Sequence, residues 1–359
     1  MKRIIQLSIL LCLLISCQKN KVDMPNLDNN GSTFISGVDI SRYPEIADSS
    51  PKFYDLEGKE KDFLDILKEN GVNTIRLRLW VNPSNEHSGF NEVKQFSQRL
   101  KSKGFKTLLT VHYSDTWADP AHQETPALWQ ELSFADLKDS VYQYTARIIN
   151  ELEPNYIQIG NEINPGLLHP NGHFSTNFLQ FKELMEMGIT AVRDNSTDTQ
   201  IIIHYAGIDG SDWFFNKIKT LDYDIIGLSY YPIWHGKSLD SLKTTMQHLS
   251  NTYNKKILIA ETSYAFTLEW NDWTNNIIGS DEQLITPAYP ATKEGQRSFI
   301  AQIRTLTKEV ENGIGFCYWG GELIAWKGDE STDASSWENQ ALFDFDNKAL
   351  PVLKEFKIQ

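Results

Sequence analysis

The sequence predicts a single (β/α)8 barrel, and three observations point to it. Strand-like apolar runs alternate with helix-like amphipathic runs eight times between Phe34 and Phe356. The strand-like runs are apolar almost throughout, as expected for parallel strands covered on both faces. The segments leaving three of these strands are long and unpatterned, whereas returns such as Gly71-Val72 and Lys103-Gly104 are short. A barrel keeps its functional loops on one face, so this asymmetry also predicts where a site lies.

The units follow in order. Strand Phe34–Ile40 leads to a helix over Lys59–Asn70 with apolar Phe63, Ile66 and Leu67, and strand Asn73–Leu79 to a helix over Asn91–Lys103 stopped by Gly104. Strand Phe105–His112 precedes helix Phe134–Asn150, and Tyr156–Gly160 precedes Asn177–Arg193. Then come Gln200–His204 with Ser211–Thr220, Asp224–Tyr230 with Ser238–Tyr253, and Lys256–Glu261 with Lys293–Asn312. Gly315–Trp319 and a last helix over Leu350–Phe356 close the set. The long segments are Tyr113–Ser133, Thr262–Thr292 and Gly320–Asn347. A doubly wound open sheet is the alternative, but Gly37-Val-Asp-Ile-Ser-Arg42 lacks the glycine-rich phosphate turn after the first strand.

The first residues stand outside this pattern. Lys2 and Arg3 precede an apolar stretch, Ile4 to Ile15, too short to span a bilayer and built like a secretory signal. Leu14-Ile15-Ser16-Cys17 resembles a bacterial lipobox, in which the cysteine is acylated and becomes the new N-terminus. The expectation is a signal over residues 1–16, a polar tether over 17–32 and one domain over 33–359. The chain would be exported and held at a membrane face by lipid alone; an ordinary signal peptide with a chance cysteine is the alternative.

Removing Met1–Ser16 takes away Lys2 and Arg3 and no acid, so the net charge of −13 becomes −15. Such a chain is a poor partner for nucleic acid or anionic lipid and suits a neutral ligand such as a polysaccharide. Of the three cysteines, only Cys317 lies beyond the expected leader and anchor, so no internal disulfide is expected, and no Cys/His spacing suggests zinc. A monomer is the default.

Two apolar runs end abruptly in a carboxylate: Tyr156-Ile-Gln-Ile-Gly-Asn-Glu162 and Lys256-Ile-Leu-Ile-Ala-Glu261. A buried carboxylate is costly unless paired or employed. In a barrel the fourth and seventh strands face each other across the mouth, so Glu162 and Glu261 would form a facing pair: a proton donor with a nucleophile or base. Asn161 could hydrogen-bond a sugar hydroxyl beside them. The plainer reading pairs the glutamates with Arg76 or Arg78 for structure alone.

Several stretches resemble the endo-β-1,4-galactanases of glycoside hydrolase family 53, members of clan A. They are Gly37-Val-Asp-Ile-Ser41, Gly71-Val-Asn-Thr-Ile-Arg-Leu-Arg-Leu-Trp-Val-Asn-Pro83, His112-Tyr-Ser-Asp-Thr-Trp-Ala-Asp-Pro120, Ile159-Gly-Asn-Glu-Ile163 with Gly166-Leu-Leu168, Ser229-Tyr-Tyr-Pro232, Ala260-Glu-Thr262 and Tyr318-Trp319. The resemblance implies a retaining hydrolase of β-1,4-galactan side chains of pectin, with Glu162 as acid/base and Glu261 as nucleophile. Arg76 would keep Glu261 charged, and Tyr230, or Tyr231 should the strand phase differ, would hydrogen-bond it. Trp319 would floor the sugar at the cleavage point, with Trp80, His112, Asp115, Trp117, His204 and Asp39 lining the cleft. The chemistry would need no cofactor.

Two departures stand out. Asn164-Pro165 follows Glu162 closely, and Leu268-Glu-Trp-Asn-Asp-Trp-Thr-Asn-Asn276 replaces a calcium loop that bacterial relatives often carry after strand seven. Here there is no histidine and half the expected set is missing, although Asp272 and Asn276 could still ligate a structural Ca2+ through oxygen. The loop Asp329–Ser336 is a second candidate. The competing functions are another clan A glycanase (a mannanase or β-glucanase) and a non-catalytic glycan-binding lipoprotein.

Overall fold

The computed structural model describes residues 34–358. The expected signal over residues 1–16, Cys17 and the tether over 17–32 lie outside the described residues. Eight parallel strands close into a barrel. In chain order they are Ile35–Asp39, Thr74–Leu79, Lys106–Val111, Tyr156–Ile159, Gln200–Ala206, Ile225–Ser229, Lys256–Thr262 and Gly313–Trp319. Each pairs with the next, and the eighth returns to the first through Ile35↔Gly315 and Asp39↔Trp319. The predicted fold class and strand order hold.

Side-chain alternation explains why the runs are apolar throughout. Outward residues such as Ile75, Leu77, Ile157, Ile159, Ile201 and Ile203 pack into one cluster with the helices. Inward residues of the barrel floor, Ile35, Leu108, Tyr156, Ile202, Ile225 and Leu258, form a second. Above that floor the inward positions turn polar: Asp39, Arg76, Arg78, Gln158, His204, Ser229 and Glu261 are all buried at the carboxyl ends of their strands. Apolar layers close the bottom, and a hydrogen-bonded polar layer sits at the top.

Helix starts follow side-chain caps: Asp62, Ser133, Ser238 and Thr292 each accept a backbone N–H from the first turn. The first long helix begins only at Phe63, because Glu60 is paired with Tyr54 and Asp62 caps the turn that follows. The last predicted helix is a 3-10 segment, Pro351–Phe356. Periodicity does not report the hairpin Gly166–Leu167 with Gly172–His173, or the short helices Tyr43–Asp48 and Pro232–His235. Among the described residues no helix is long and apolar enough to cross a membrane.

Candidate active site

The fourth strand delivers Glu162 through a tight turn. Gly160 has φ +79°, and a Cβ there would approach Ile163 Cγ2 to 2.5 Å. Glu162 itself lies at φ +48°, an unusual conformation for a residue with a side chain. Ile163 N–H donates to the His204 carbonyl at 3.1 Å, which fixes the turn against the fifth strand. On the seventh strand the pairing slips between Leu228↔Ile259 and Ser229↔Glu261. This bulge brings Glu261 into the barrel although Ala260 before it already faces inward.

The two carboxylates meet. One side-chain nitrogen or oxygen of each of Glu162, His204 and Glu261 lies within 4.8 Å of the others. Glu261 accepts Arg76 Nη2–H at 2.6 Å on Oε1 and the Tyr231 hydroxyl at 3.0 Å on Oε2. Among the described residues Glu162 accepts only the Ser229 hydroxyl, at 2.5 Å on Oε1. Burial pushes both carboxyls upward. For Glu162 the charge of Glu261 adds to burial, while for Glu261 Arg76 opposes it. Of the two, Glu162 is in the environment that favours holding a proton, while the Arg76 charge favours the ionised form of Glu261.

Arg76 organises the floor of the site. Its Nη1 donates to Asp39 Oδ2 at 2.5 Å, and its Nη2 reaches Asn161 Oδ1 at 2.9 Å besides Glu261. Burial alone would lower its pKa, but the charges of Glu261 and Asp39 more than offset this, so it remains a cation. Asn161 Nδ2 donates to the Ala118 carbonyl at 2.8 Å. His112 accepts Ala118 N–H at 3.0 Å on Nδ1; burial, then the charges of Arg78 and Arg76, hold its pKa well below the usual range.

A cleft of about 730 Å³ opens over this layer and is lined by Glu162, Glu261, Asp39, His112, Trp117 and Trp319, with Arg76 and Asn161 at its base. Its aromatic wall continues beyond the predicted residues: Trp319 packs edge-on against Trp337 at 4.5 Å, and Trp337 against Trp234 at 6.1 Å. Trp234 comes from the short helix Pro232–His235 and Trp337 from the long segment after the eighth strand, neither of which periodicity reports. Glu322, also unforeseen, is buried at the cleft edge.

Four expected positions need correction. Tyr230 points outward into the helix-facing core, and its hydroxyl donates to the Gly236 carbonyl; Tyr231, one step on in the alternation, reaches Glu261. Trp80 does not line the cleft: its ring lies behind the wall, 4.3 Å from the Arg78 guanidinium. Asp115 instead ties loops together, accepting Asn82 N–H at 2.9 Å and Ala127 N–H at 2.8 Å. His204 is fully buried beneath Glu162 rather than exposed to a ligand.

In the loop after strand seven, Asp272 is buried, with Oδ1 accepting Thr274 N–H at 2.6 Å. Its Oδ2, Asn276 Oδ1 and Glu338 Oε2 have no hydrogen-bond partner among the described residues. Glu338, absent from the predicted set, adjoins both: it accepts Asn271 N–H at 2.6 Å, and the charge of Asp272 adds to burial in raising its pKa. Three unsatisfied hard oxygens match the donor chemistry of Ca2+. In the other candidate loop, Lys327 Nζ holds Asp333 at 3.1 Å.

Comparison with known proteins agrees with this architecture. The profile of glycosyl hydrolase family 53 matches residues 35–356. An arabinogalactan endo-β-1,4-galactanase of Cellvibrio japonicus is 34% identical over 348 residues, covering 91% of this chain and 92% of that protein. An endo-β-1,4-galactanase of Bacillus subtilis is 30% identical, covering 90% and 85%. The solved GH53 catalytic domain of Ignisphaera aggregans superposes with a TM-score of 0.84 at 39% identity, covering 90% of this chain and 95% of that domain.

Proposed function

The chain belongs to glycosyl hydrolase family 53, and from that premise we propose that it is an endo-acting β-1,4-galactanase that cleaves (arabino)galactan with retention of configuration. The observation that carries the mechanism is the spacing of the carboxylates. An oxygen of Glu162 within 4.8 Å of one of Glu261 is close to the roughly 5–5.5 Å spacing of a retaining pair and supports it over the roughly 6.5–9.5 Å of an inverting one.

In this reading protonated Glu162 gives its proton to the departing glycosidic oxygen while Glu261 attacks the anomeric carbon. Glu162, now ionised, takes a proton from the water that releases the glycosyl-enzyme. Arg76 and Tyr231 keep Glu261 ionised and aimed. Trp319 offers a flat face to the apolar side of a galactose ring. Asp39 acts through Arg76. His112 and Trp117 shape the wall. None of these steps needs a cofactor. A structural Ca2+ would be held by Asp272, Asn276 and Glu338, bracing the two loops beside the cleft. Galactan side chains of pectin, export, and anchoring through acylated Cys17 complete the proposal; they rest on the sequence resemblance and the lipobox.

The test is reducing-sugar release from β-1,4-galactan by wild type, Glu162→Gln and Glu261→Gln, with mannan and β-glucan alongside. Cleavage of galactan alone, lost in both variants, is the expected result. Binding of galactan without cleavage by wild type would favour a glycan-capture protein on the same fold. Cleavage of mannan or glucan in preference would move the substrate. Fatty-acid labelling of wild type but not Cys17→Ser tests the anchor.

A further inference from the structure

Glu162 is served by a chain of side chains that the reaction does not itself require. Ser229 Oγ lies 2.5 Å from Glu162 Oε1, and His204 Nε2 lies 2.9 Å from Ser229 Oγ. Gln158 Nε2 lies 2.9 Å from His204 Nδ1. Gln158, His204 and Ser229 are all fully buried, so each must find its partners within the barrel.

The direction of this chain can be read. Gln158 is oriented by Arg76, whose Nη2 donates to its Oε1 at 3.4 Å, so its amide nitrogen faces His204 Nδ1 and Asn161 Oδ1, each at 2.9 Å, and the Gly160 carbonyl at 3.1 Å. The Glu162 backbone N–H also points at His204 Nδ1, at 3.4 Å. Two N–H donors aimed at one ring nitrogen leave no room for a proton on it. Asn161 Oδ1, 3.1 Å from the same nitrogen, is already supplied by Arg76 and Gln158, each at 2.9 Å. Burial, then the charge of Arg76, keeps the imidazole neutral. Its single proton therefore sits on Nε2 and is donated to Ser229 Oγ, whose own proton goes to Glu162 Oε1.

We infer that His204 and Ser229 are positioning residues that hold the exchangeable proton of Glu162 on Oε2, the oxygen left toward the cleft. This rests on the reading of Glu162 as acid/base. Oε1 receives a hydrogen bond in both halves of the cycle. Oε2 alone gains and loses the proton, so one geometry serves donation to the leaving oxygen and removal of a proton from water. The same bond favours the carboxylate and restrains the upward shift caused by burial and by Glu261. The other charged or titratable groups facing Glu162 are Arg76, Asp119, Glu261 and Tyr231, and none of them donates to Oε1.

The experiment is the pH profile of kcat/KM on β-1,4-galactan for wild type, Ser229→Ala and Ser229→Thr, with 15N imidazole NMR of wild type and Ser229→Ala. Ser229→Ala removes a donor to the ionised form, so the pKa of Glu162 rises. The alkaline limb should move up by about one pH unit, while Ser229→Thr, which keeps a hydroxyl, stays near wild type. His204 should show the Nε2–H tautomer from pH 5 to 8. An alkaline limb unmoved in a folded Ser229→Ala, or an Nδ1–H tautomer, overturns the inference. Wild type inert on galactan overturns the functional reading instead, and the NMR tautomer still decides the direction of the chain.

Discussion

Arg76 and Glu261 form a fully buried ion pair at 2.6 Å, across 185 positions of sequence, and the same guanidinium also holds Asp39 and Asn161. A buried pair of this kind is costly to assemble and more costly to break. Here it fixes one carboxylate as an anion next to another that keeps a proton. That difference within the pair is what a retaining glycosidase needs.

Arg76→Lys should therefore fold and fail. The ammonium cannot reproduce a fork that spans Asp39, Asn161 and Glu261, so Glu261 loses orientation and part of its stabilising charge. We expect kcat/KM to fall by on the order of a hundredfold or more, with the acidic limb of the profile moving upward because Glu261 becomes harder to ionise. Kinetics from pH 4 to 8 with circular dichroism check this. An unchanged acidic limb would remove Arg76 from the account of Glu261.

Glu322 gives a stability prediction. Burial, then the charge of Asp39, pushes its carboxyl up to about 8, and its Oε2 has no partner among the described residues while Oε1 accepts Arg42 N–H at 2.8 Å. A folded pKa above the unfolded value means that the native state binds more protons between the two, so stability declines as pH rises from roughly 4.5 to 8. Glu322→Gln keeps the shape without the titration. Its Tm should match wild type near pH 5 and exceed it near pH 8.5, by an amount worth on the order of a few kcal/mol. Parallel Tm curves at both pH values would show that Glu322 is ionised throughout.

The loop cluster of Asp272, Asn276 and Glu338 predicts a response to metal. If, as proposed, Ca2+ fills the three unsatisfied oxygens, millimolar CaCl2 should raise Tm over EDTA-treated protein, and Glu338→Ala should abolish the difference. Scanning calorimetry and Ca2+ titration calorimetry read this independently of catalysis. If instead Glu338 satisfies Asp272 by carrying a proton, Ca2+ would bind without effect or not at all, and acidification would stabilise the loop.

The barrel is legible in the sequence because its evidence is redundant: the strand runs are mostly apolar and recur eight times, and loop length separates the two ends. The carboxylate pair is legible for a related reason, since Glu162 and Glu261 each interrupt an apolar run where the run should simply stop. What resists reading is phase and path. The polar layer of Gln158, His204 and Ser229 looks like ordinary strand-end composition until the register is known. Trp337 and Glu322 reach the cleft along a loop fixed by tertiary contacts such as Leu342 N–H to the Gly321 carbonyl at 3.0 Å, and Trp234 reaches it on the short helix Pro232–His235. Asp115 and Trp80 show the converse, since being next to a strand end did not place either in the cleft.

The two tyrosines after strand six separate phase from composition in one experiment. Ser229 faces inward, so alternation sends Tyr230 out and Tyr231 in, where its hydroxyl donates to Glu261 Oε2 at 3.0 Å. Burial, then the charge of Glu261, raises its pKa well above the usual range, so it remains a donor throughout the working pH. Tyr231→Phe should lower kcat by roughly tenfold to a hundredfold with the fold intact, because a neutral donor aimed at the nucleophile is lost. Tyr230→Phe should leave kcat near wild type and cost about 1 kcal/mol of stability, through the lost bond to the Gly236 carbonyl. Kinetics and urea unfolding on both variants decide it: a kinetic defect in Tyr230→Phe and none in Tyr231→Phe would require the sixth strand to be rotated by one residue.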